Sequence, residues 1–91
     1  MRIDFDPDKS ARNARERGLP FTAVERFDWM GARYLEDTRH DYPERRFVVV
    51  GYLDQRLHVV CCTPIADGVR IISLRKANQR EVRRHEQATD G

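Results

Sequence analysis

The sequence predicts an α+β domain in which an antiparallel sheet follows two N-terminal helices and precedes one C-terminal helix, in the order β-α-α-β-β-β-β-α. Two observations lead to this class. Helical patterns with capping residues are confined to the regions before residue 31 and after residue 76, and three strand patterns run consecutively between residues 46 and 74. Elements that are grouped rather than alternating are typical of α+β folds. With 91 residues, one domain over residues 1–91 is expected.

Residues 2–6 and 8–17 are predicted to form the first strand and the first helix. The strand alternates apolar and polar side chains, which indicates one buried and one wet face. The helix has Asp6 as its predicted N-cap, a proline in its first turn, and Gly18 as its C-terminal stop.

A second helix is predicted over residues 23–29. Thr22, followed three residues later by Glu25, forms a capping-box pattern at its start. Phe27 and Met30 continue an apolar stripe at helical spacing, so both are predicted to face the core.

The strands of the predicted sheet occupy the second half of the chain. Residues 32–37 form a weak strand, and a polar loop follows over 37–44. Residues 46–53 are apolar on both faces, which predicts a central strand. Residues 57–63 and 69–74 complete three consecutive antiparallel strands, with an Asp-Gly turn between the last two.

The last helix is predicted to begin near Asn78, because Glu81 follows three residues later in a second capping-box pattern. Its apolar residues are Ala77, Val82 and Ala88, a set too thin to bury the helix firmly. The helix therefore either frays or is covered by a partner protein or by a second copy of the chain.

Composition and charge exclude several classes of protein. The net charge of +2 does not by itself predict nucleic-acid binding, but the basic residues gather between residues 70 and 84. A local basic patch attracts phosphate whatever the net charge.

The N-terminus lacks the apolar core of a signal peptide, and no apolar run is long enough to span a membrane. We therefore expect a cytoplasmic protein.

The cysteine pattern predicts neither a metal site nor a structural disulfide. Cys61 and Cys62 are adjacent, and adjacent strand residues point to opposite faces of a sheet. No spaced zinc motif is present in the sequence. Two small buried residues in a reducing compartment are expected, and no cofactor is predicted.

Four stretches carry motifs in a fixed order. Residues 5–18 read FDPDKSARNARERG, and residues 19–29 read LPFTAVERFDW with a Phe-bearing helix. Residues 37–53 read DTRHDYPERRFVVVGYL, which combines Asp-x-x-His, Glu-Arg, an apolar strand and a glycine. Residues 70–86 read RIISLRKANQREVRRHE, an Ile-Ser-x-Arg-x-Ala strand exit followed by Arg-Glu in a helix. Together these stretches resemble the BrnT toxin family, which usually has a histidine where this chain has Arg17.

The resemblance implies a RelE-like fold and ribonuclease activity without a metal. It also implies the toxin of a type II toxin–antitoxin system, neutralised by a BrnA-like antitoxin. In the family, the toxin–antitoxin complex binds operator DNA through the antitoxin and represses its own operon.

The residues offer a plausible chemistry for such a nuclease. Cleaving RNA without a metal requires a base for the 2′-hydroxyl, cations for the charge that develops on the phosphate, and an acid for the leaving 5′-oxygen. His40 and Glu44 lie in the polar loop, and either can serve as acid or base. Arginine forks match phosphate oxygens well. The remaining candidates are Arg45, Arg75 and Arg80 for catalysis, and Arg46, Arg70 and Lys76 for RNA binding.

Side-chain alternation predicts which arginines can meet in one site. In a regular strand Arg70 and Arg75 fall on opposite faces, so both enter one site only if the strand ends or bulges near Ser73. Arg75 is favoured because it lies where the strand gives way to the helix. One of Arg45 and Arg46 should share its face, and alternation leaves both open.

The candidates for contacting a partner protein are Lys9, Asn13, Arg83 and Arg84. Lys9 and Asn13 are one helical turn apart, and they either contact the antitoxin or fix the helix against a loop. Arg83 and Arg84 form a solvated or partner-facing surface of the last helix. His85 is expected to interact with the C-terminal end of that helix, where a cation is favourable.

Three functions compete on these observations. The leading interpretation is a toxin ribonuclease held inactive by an antitoxin. The second is a non-catalytic module that binds the antitoxin and acts only as a corepressor. The presence of Arg17 in place of the family's usual histidine is compatible with this second interpretation. The third is a free-standing RNA-binding domain, which the aromatic residues do not favour because their spacing indicates core packing.

Overall fold

The computed structural model describes residues 1–90, so Gly91, the last residue of the predicted domain, lies outside the described residues. The predicted α+β class is confirmed, with five strands, two α-helices and one short 3₁₀ helix within residues 1–90. The elements are β1 (Arg2–Phe5), α1 (Pro7–Arg17), the 3₁₀ helix (Phe21–Arg26), β2 (Arg33–Glu36), β3 (Phe47–Leu53), β4 (Arg56–Ile65), β5 (Gly68–Lys76) and α2 (Gln79–Asp90). Among residues 1–90, no helix is long and apolar enough to cross a bilayer.

Both ends of α1 are capped as the sequence predicts. The Asp6 carboxylate accepts a hydrogen bond from the Asp8 N–H at 2.9 Å. Gly18 adopts the left-handed conformation with a φ of 69°, and its N–H bonds to the Ala14 carbonyl at 2.9 Å. Glycine takes this conformation without a steric penalty, so the helix stops there.

The predicted second α-helix is wrong, because the segment is a 3₁₀ helix that begins two residues earlier. Its N-terminus follows Pro20 and has no side-chain cap, so the capping box of Thr22 and Glu25 does not form. The N–H of Phe21 instead donates to the Ser10 hydroxyl at 2.8 Å, inside the protein. This tertiary bond ties the segment to α1 and buries the Phe21 ring in the core.

The apolar stripe predicted for this segment is half right. Phe27 is buried as predicted and packs edge-on against Trp29, with ring centroids 4.8 Å apart. Met30 is 97 % exposed, so its prediction as a core residue is wrong. The chain has already left the helical path at Phe27, and helical spacing therefore no longer applies to Met30.

The sheet is mixed, not antiparallel throughout. The strand order is β1-β5-β4-β3-β2, and β2, β3, β4 and β5 pair antiparallel as predicted. β1 pairs parallel with β5. The connection from β1 to β2 carries α1 and the 3₁₀ helix across one face of the sheet, so these two strands lie on opposite edges.

The two faces of the sheet differ in how they are covered. The core face packs against α1 and the 3₁₀ helix and holds the larger apolar cluster, including Phe21, Val24, Val49, Val60, Ile71 and Leu74. The second face holds a smaller cluster of Val50, Leu57, Val59 and Ala77, against which Val82 of α2 packs. Helix α2 therefore covers one end of the second face.

A β-bulge in β5 sets the direction of its side chains. Cys61 pairs with Ser73 and Cys62 pairs with Ile71, so Ile72 is an extra residue on β5. Bulges of this kind re-aim side chains within a strand. Regular alternation therefore holds only as far as Ile71, and the bulge that the sequence left open near Ser73 is present.

The bulge brings the two arginines of β5 to the same side. Arg70 pairs with Thr63 and Arg75 pairs with Val59, and these two partners share one face of β4. Ile71 and Leu74 both lie in the core. Arg70 and Arg75 therefore both lie on the second face, which is the arrangement that the sequence allowed only for a bulged strand.

Candidate functional site

A row of polar side chains crosses the second face at the end that α2 leaves uncovered. Asp4 pairs with Arg70, and Arg70 pairs with Thr63. Arg46 precedes Phe47, whose partner on β4 is Cys62, so the same register places Arg46 beside Thr63. We call Asp4, Glu44, Arg46, Thr63 and Arg70 the loop end of the second face.

Arg70 lies between two carboxylates. Its Nε donates to Asp4 Oδ2 at 2.9 Å, and its Nη1 lies 3.6 Å from Glu44 Oε2. The hydrogen bond from Arg70 lowers the pKa of the Asp4 carboxyl. Because Glu44 belongs to the loop between β2 and β3, its contact draws that loop toward β5. The predicted candidates Glu44 and Arg70 are therefore neighbours.

The loop over residues 37–46 is built around the Tyr42 ring. The Arg46 guanidinium carbon lies 4.0 Å from the ring centroid, in cation–π geometry. The His40 ring meets Tyr42 edge-on, with centroids 5.6 Å apart. The Tyr42 hydroxyl donates to Asp37 Oδ2 at 3.2 Å. His40 and Arg46 are therefore both held against one aromatic side chain.

Two donors at the loop end are buried and have no partner within the described residues. These are Nε of Arg46 and Oγ1 of Thr63. Thr63 is 2 % exposed, although it lies on the second face. Each of these atoms exposes less than 1 Å² of surface, so a molecule from solvent reaches them only if the loop moves.

Four of the sequence candidates line one open cavity of about 420 Å³ in this loop. They are His40, Glu44, Arg45 and Arg46. Arg45 differs from Arg46, because its guanidinium pairs with Glu36 at 3.0 Å and lies over the Phe47 ring at 5.1 Å. Of the two, Arg46 is the one beside Thr63 on the second face.

Arg75 lies at the other end of the second face, under the start of α2. We call Val50, Leu57, Val59, Arg75 and Ala77 the helix end. Both outer nitrogens of Arg75 donate to the two oxygens of Glu81, each at 2.8 Å. This fork lowers the pKa of Glu81 to about 2.

The first turn of α2 confirms the predicted capping box. Glu81 Oε1 accepts the Asn78 N–H at 2.9 Å, and Asn78 Oδ1 accepts the Glu81 N–H at 2.8 Å. Glu81 therefore both caps the helix and holds Arg75. Arg80 projects from the same turn and is exposed.

Lys76 does not join the other basic candidates. It pairs with His58, whose neighbours Val60 and Cys62 on that side belong to the larger core. Lys76 therefore lies on the core face, where it lines a separate cavity together with Arg26 and Asp54.

The candidates for partner contact occupy two helices. Lys9 on α1 and Arg83 and Arg84 on α2 are exposed. Asn13 is half-buried, and its side-chain nitrogen donates to Leu19 O at 2.7 Å and to Leu74 O at 2.9 Å. Asn13 thus fixes α1 to the end of β5.

His85 does not lie at the C-terminal end of α2 as predicted. It is 3 % exposed, and its ring meets Tyr52 edge-on at 5.6 Å. The helix continues to Asp90, so the prediction that His85 lies at its C-terminal end is wrong.

Sequence reasoning missed four residues that shape the loop end. Asp37 and Tyr42 flank His40 in the polar loop, so an acidic and an aromatic residue so close to a candidate histidine were available as a signal. Asp4 can be placed beside Arg70 only when β1 is known to pair with β5. Thr63 carries no sequence signal, because its position depends on the register of the sheet.

Comparison with protein families identifies the chain. Residues 5–81 match the family model described as "Ribonuclease toxin, BrnT, of type II toxin-antitoxin system". The chain belongs to the BrnT toxin family. The resemblance noted in the sequence is therefore confirmed over most of the chain, and a type II toxin of this family implies an antitoxin partner. A search of curated proteins found no match.

The span matched by the BrnT family model covers most of the candidate site. It includes the whole loop over residues 37–46, the bulged strand β5 and Glu81. Asp4 lies outside it, as do Arg83 and Arg84. The loop end and the fork of Arg75 with Glu81 are thus almost entirely within the BrnT-like region.

Proposed function

We propose that this BrnT-family protein is a RelE-like toxin that cleaves RNA as a metal-independent endoribonuclease. The observation that carries the proposal is the loop end, where the side chains of Arg46 and Arg70 lie beside Glu44, with His40 on the same loop. Guanidinium donors match the oxygens of a phosphodiester.

The proposed reaction needs one proton acceptor and one proton donor. A base removes the proton of the 2′-hydroxyl, the 2′-oxygen bonds to phosphorus, and the bond to the 5′-oxygen breaks. An acid protonates that leaving oxygen, which gives a 2′,3′-cyclic phosphate and a 5′-hydroxyl. His40 and Glu44 supply these two groups, because both line the loop cavity.

The arginines of the second face take different roles in this proposal. Arg46 and Arg70 bind the oxygens of the scissile phosphate, where charge develops in the transition state. Arg75 is further away, because its partner Val59 lies four residues from Thr63 on β4, or about 13 Å along the strand. Arg75 and Arg80 would then meet a neighbouring phosphate of a longer RNA, and Arg45 would contact RNA at the rim of the loop.

A cleavage assay with purified protein tests the proposal. Cleavage of RNA is expected in excess chelator, with fragments ending in 2′,3′-cyclic phosphate. Glu44→Gln and His40→Ala are expected to lower the rate by about 100-fold or more. Asp54→Asn is a matched control, since Asp54 forms its ion pair with Arg26 in a different part of the molecule. Intact RNA after incubation with the folded wild-type protein would overturn the nuclease proposal.

The antitoxin is proposed to be BrnA-like and cytoplasmic with the toxin, and the complex is proposed to bind operator DNA through the antitoxin. The exposed Lys9, Arg83 and Arg84 supply contacts that an acidic antitoxin surface would match. Expression of the toxin alone is expected to stop growth, and co-expression of the neighbouring gene is expected to restore it. Purified toxin that remains a dimer would indicate self-pairing instead.

One observation favours the corepressor as a second candidate. Arg45, Arg70 and Arg75 are each already paired with a carboxylate of the same chain, as in a purely structural surface. Arg17 is not part of this observation, because it lies at the end of α1 and lines a different cavity from the loop. A folded protein that binds antitoxin and operator DNA in the complex, but cleaves no RNA, would favour this function.

A further inference from the structure

We propose that Asp37 is a positioning residue of the cleavage site, and that it acts on His40 and Arg46 through Tyr42. The inference rests on the proposed nuclease function for its kinetic consequences. Its geometric part depends only on contacts within the loop.

Asp37 is the most completely bonded carboxylate of the loop. Its side chain is 2 % exposed. It accepts hydrogen bonds from the Arg39 N–H at 3.2 Å, from Arg39 Nε and Nη2 at 2.9 Å each, and from the Tyr42 hydroxyl at 3.2 Å. The bonds from Arg39 hold the pKa of this carboxyl well below its usual range. A buried carboxylate that accepts this many hydrogen bonds is held firmly in one position.

The main chain of Asp37 adds a second restraint. Its N–H donates to the Arg46 carbonyl at 2.7 Å, which continues the ladder between β2 and β3 by one step. The two ends of the loop are thereby tied together. Asp37 holds the base of the loop with its backbone and the interior of the loop with its carboxylate.

Tyr42 carries this restraint to the candidate groups. Its hydroxyl is held by Asp37, and its ring meets Arg46 at 4.0 Å and His40 at 5.6 Å. A ring that is anchored at its hydroxyl cannot swing away without breaking that bond. Both side chains that contact the ring therefore keep their positions relative to Asp37.

Arg39 shields this arrangement from solvent. Its side chain is 74 % exposed, while the Asp37 side chain that it covers is 2 % exposed. Among the described residues, the hydrogen bonds and the ion pair of the Arg39 side chain are made with Asp37, and none is made with the loop end. Arg39 therefore holds Asp37 in place and does not face the proposed site directly.

The molecule contains a second arginine–carboxylate fork of similar geometry, at an exposed position where the Asp54 side chain is 56 % exposed. Arg26 forms the same kind of fork with Asp54, at 2.8 to 3.0 Å, between the 3₁₀ helix and the turn from β3 to β4. That turn holds no candidate for catalysis. Loss of the Asp54 fork therefore controls for the loss of an arginine–carboxylate pair as such.

The test measures cleavage kinetics of Asp37→Asn, Tyr42→Phe and Asp54→Asn. Asp37→Asn is expected to lower kcat by about 10- to 100-fold, because small displacements of catalytic groups are costly. KM is expected to change less than about threefold, since Arg70 remains tied to Asp4. Tyr42→Phe keeps the ring and loses only the hydroxyl, and a fall of about tenfold is expected. Asp54→Asn should stay within about twofold of wild type.

Nuclear Overhauser effects from the Tyr42 ring to His40 and Arg46 give a readout that does not require catalysis. These signals should weaken in Asp37→Asn and persist in Asp54→Asn. A folded Asp37→Asn protein that keeps the signals and the wild-type kcat would overturn the proposal. If Asp37→Asn does not fold, an unchanged kcat and unchanged signals in Tyr42→Phe would overturn it equally.

The same experiment separates this inference from the nuclease proposal. A wild-type protein that cleaves no RNA, combined with weakened Overhauser signals in Asp37→Asn, would overturn the nuclease and support only the geometric part of the inference, that Asp37 holds His40 and Arg46 through Tyr42. Cleavage by the wild type, with the signals and kcat unaffected in both loop variants, would support the nuclease and overturn the positioning role.

Discussion

Arg70 and Arg75 leave the same strand on the same face of the sheet, but their guanidinium groups are in different situations. Arg75 gives both outer nitrogens to Glu81 at 2.8 Å. Arg70 has one short bond to Asp4 and a longer contact of 3.6 Å to Glu44. Arg70 therefore keeps capacity for another acceptor, whereas Arg75 has little.

The surroundings of the two arginines also differ, because Arg75 lies at an apolar end of the second face and Arg70 lies at a polar end. The helix end is an apolar patch under α2, built from residues such as Leu57 and Val59. The loop end is a polar row that includes Asp4, Glu44 and Arg70. One end of the second face is thus apolar and covered by α2, and the other end is polar and not covered by that helix. The sequence shows that both residues are cations, but it does not show how many of their hydrogen-bond donors are already used within the protein.

The largest expected effect comes from replacing each of the two arginines by alanine, in separate variants. Arg70→Ala is expected to lower kcat/KM for RNA cleavage by about 100- to 1000-fold, because it removes a donor to the transition state. Arg75→Ala is expected to cost less than about tenfold, because Glu81 already occupies its donors. Steady-state cleavage assays measure both values. A larger loss for Arg75→Ala would reverse the comparison.

The next effect concerns stability at the helix end. Leu57 is 4 % exposed, so Leu57→Ala is expected to lower the free energy of unfolding by about 3 kcal/mol. Leu35 is on the same face but 50 % exposed, and Leu35→Ala should cost less than about 0.5 kcal/mol. Urea denaturation measures both changes. Equal losses in the two variants would show that α2 does not bury this end.

A smaller effect tests the fork between Arg75 and Glu81 through its pH dependence. The pKa of Glu81 is lowered from 4.5 to about 2 in the folded protein, so the fork stabilises the fold above pH 4.5. This stabilisation is lost as the pH falls through the folded value. Glu81→Gln is expected to cost about 1 kcal/mol at pH 7.

The difference in unfolding free energy between wild type and Glu81→Gln should shrink as the pH falls from 4.5 toward 2. Denaturant titrations at a series of pH values measure it. Comparing the two proteins cancels the other paired carboxylates, such as Asp4 and Asp37, whose folded pKa values are also lowered. A difference that is independent of pH would mean that the fork does not hold in solution.

The smallest expected effect distinguishes the two faces of the sheet. Arg46→Ala is expected to reduce the slope of log Kd against log salt by about 0.7 for a 2′-O-methyl RNA that resists cleavage, as for one lost phosphate contact. Lys76→Ala is expected to leave this slope unchanged, because Lys76 lies on the core face. Fluorescence anisotropy measures both slopes. A lower slope for Lys76→Ala would place RNA on both faces.

Local signals in the sequence predicted the ends of elements well. Asp6, Gly18 and the pair of Asn78 and Glu81 all cap helices as expected, because capping depends on residues only a few positions apart. The antiparallel run from β3 to β5 was also predicted from its turns. Non-local contacts account for the errors. The bond from Phe21 to Ser10 replaced a helix start, and the pairing of β1 with β5 made the sheet mixed.

The site was predicted less completely than the fold for the same reason. His40, Glu44, Arg45 and Arg46 were found together because they lie within seven residues of one loop. Arg70 joins them only through the register of the sheet, and Thr63 has no local signal. No pattern within the strand itself marks Ile72 as an extra residue, so the shared face of Arg70 and Arg75 required the structure.

The bulge at Ile72 makes the charge pattern of the second face depend on how β5 pairs with β4, not only on the composition of β5. Removing Ile72 would leave Arg70 and Arg75 four positions apart, and regular alternation would then keep both on the second face. If β5 kept its length but paired without the bulge, the two arginines would be five positions apart, and one of the two positive charges would move to the opposite face. Glu81 and the start of α2 would then have to follow Arg75 or lose their partner. A one-residue shift in the pairing of β5 with β4 is therefore enough to separate the two charges.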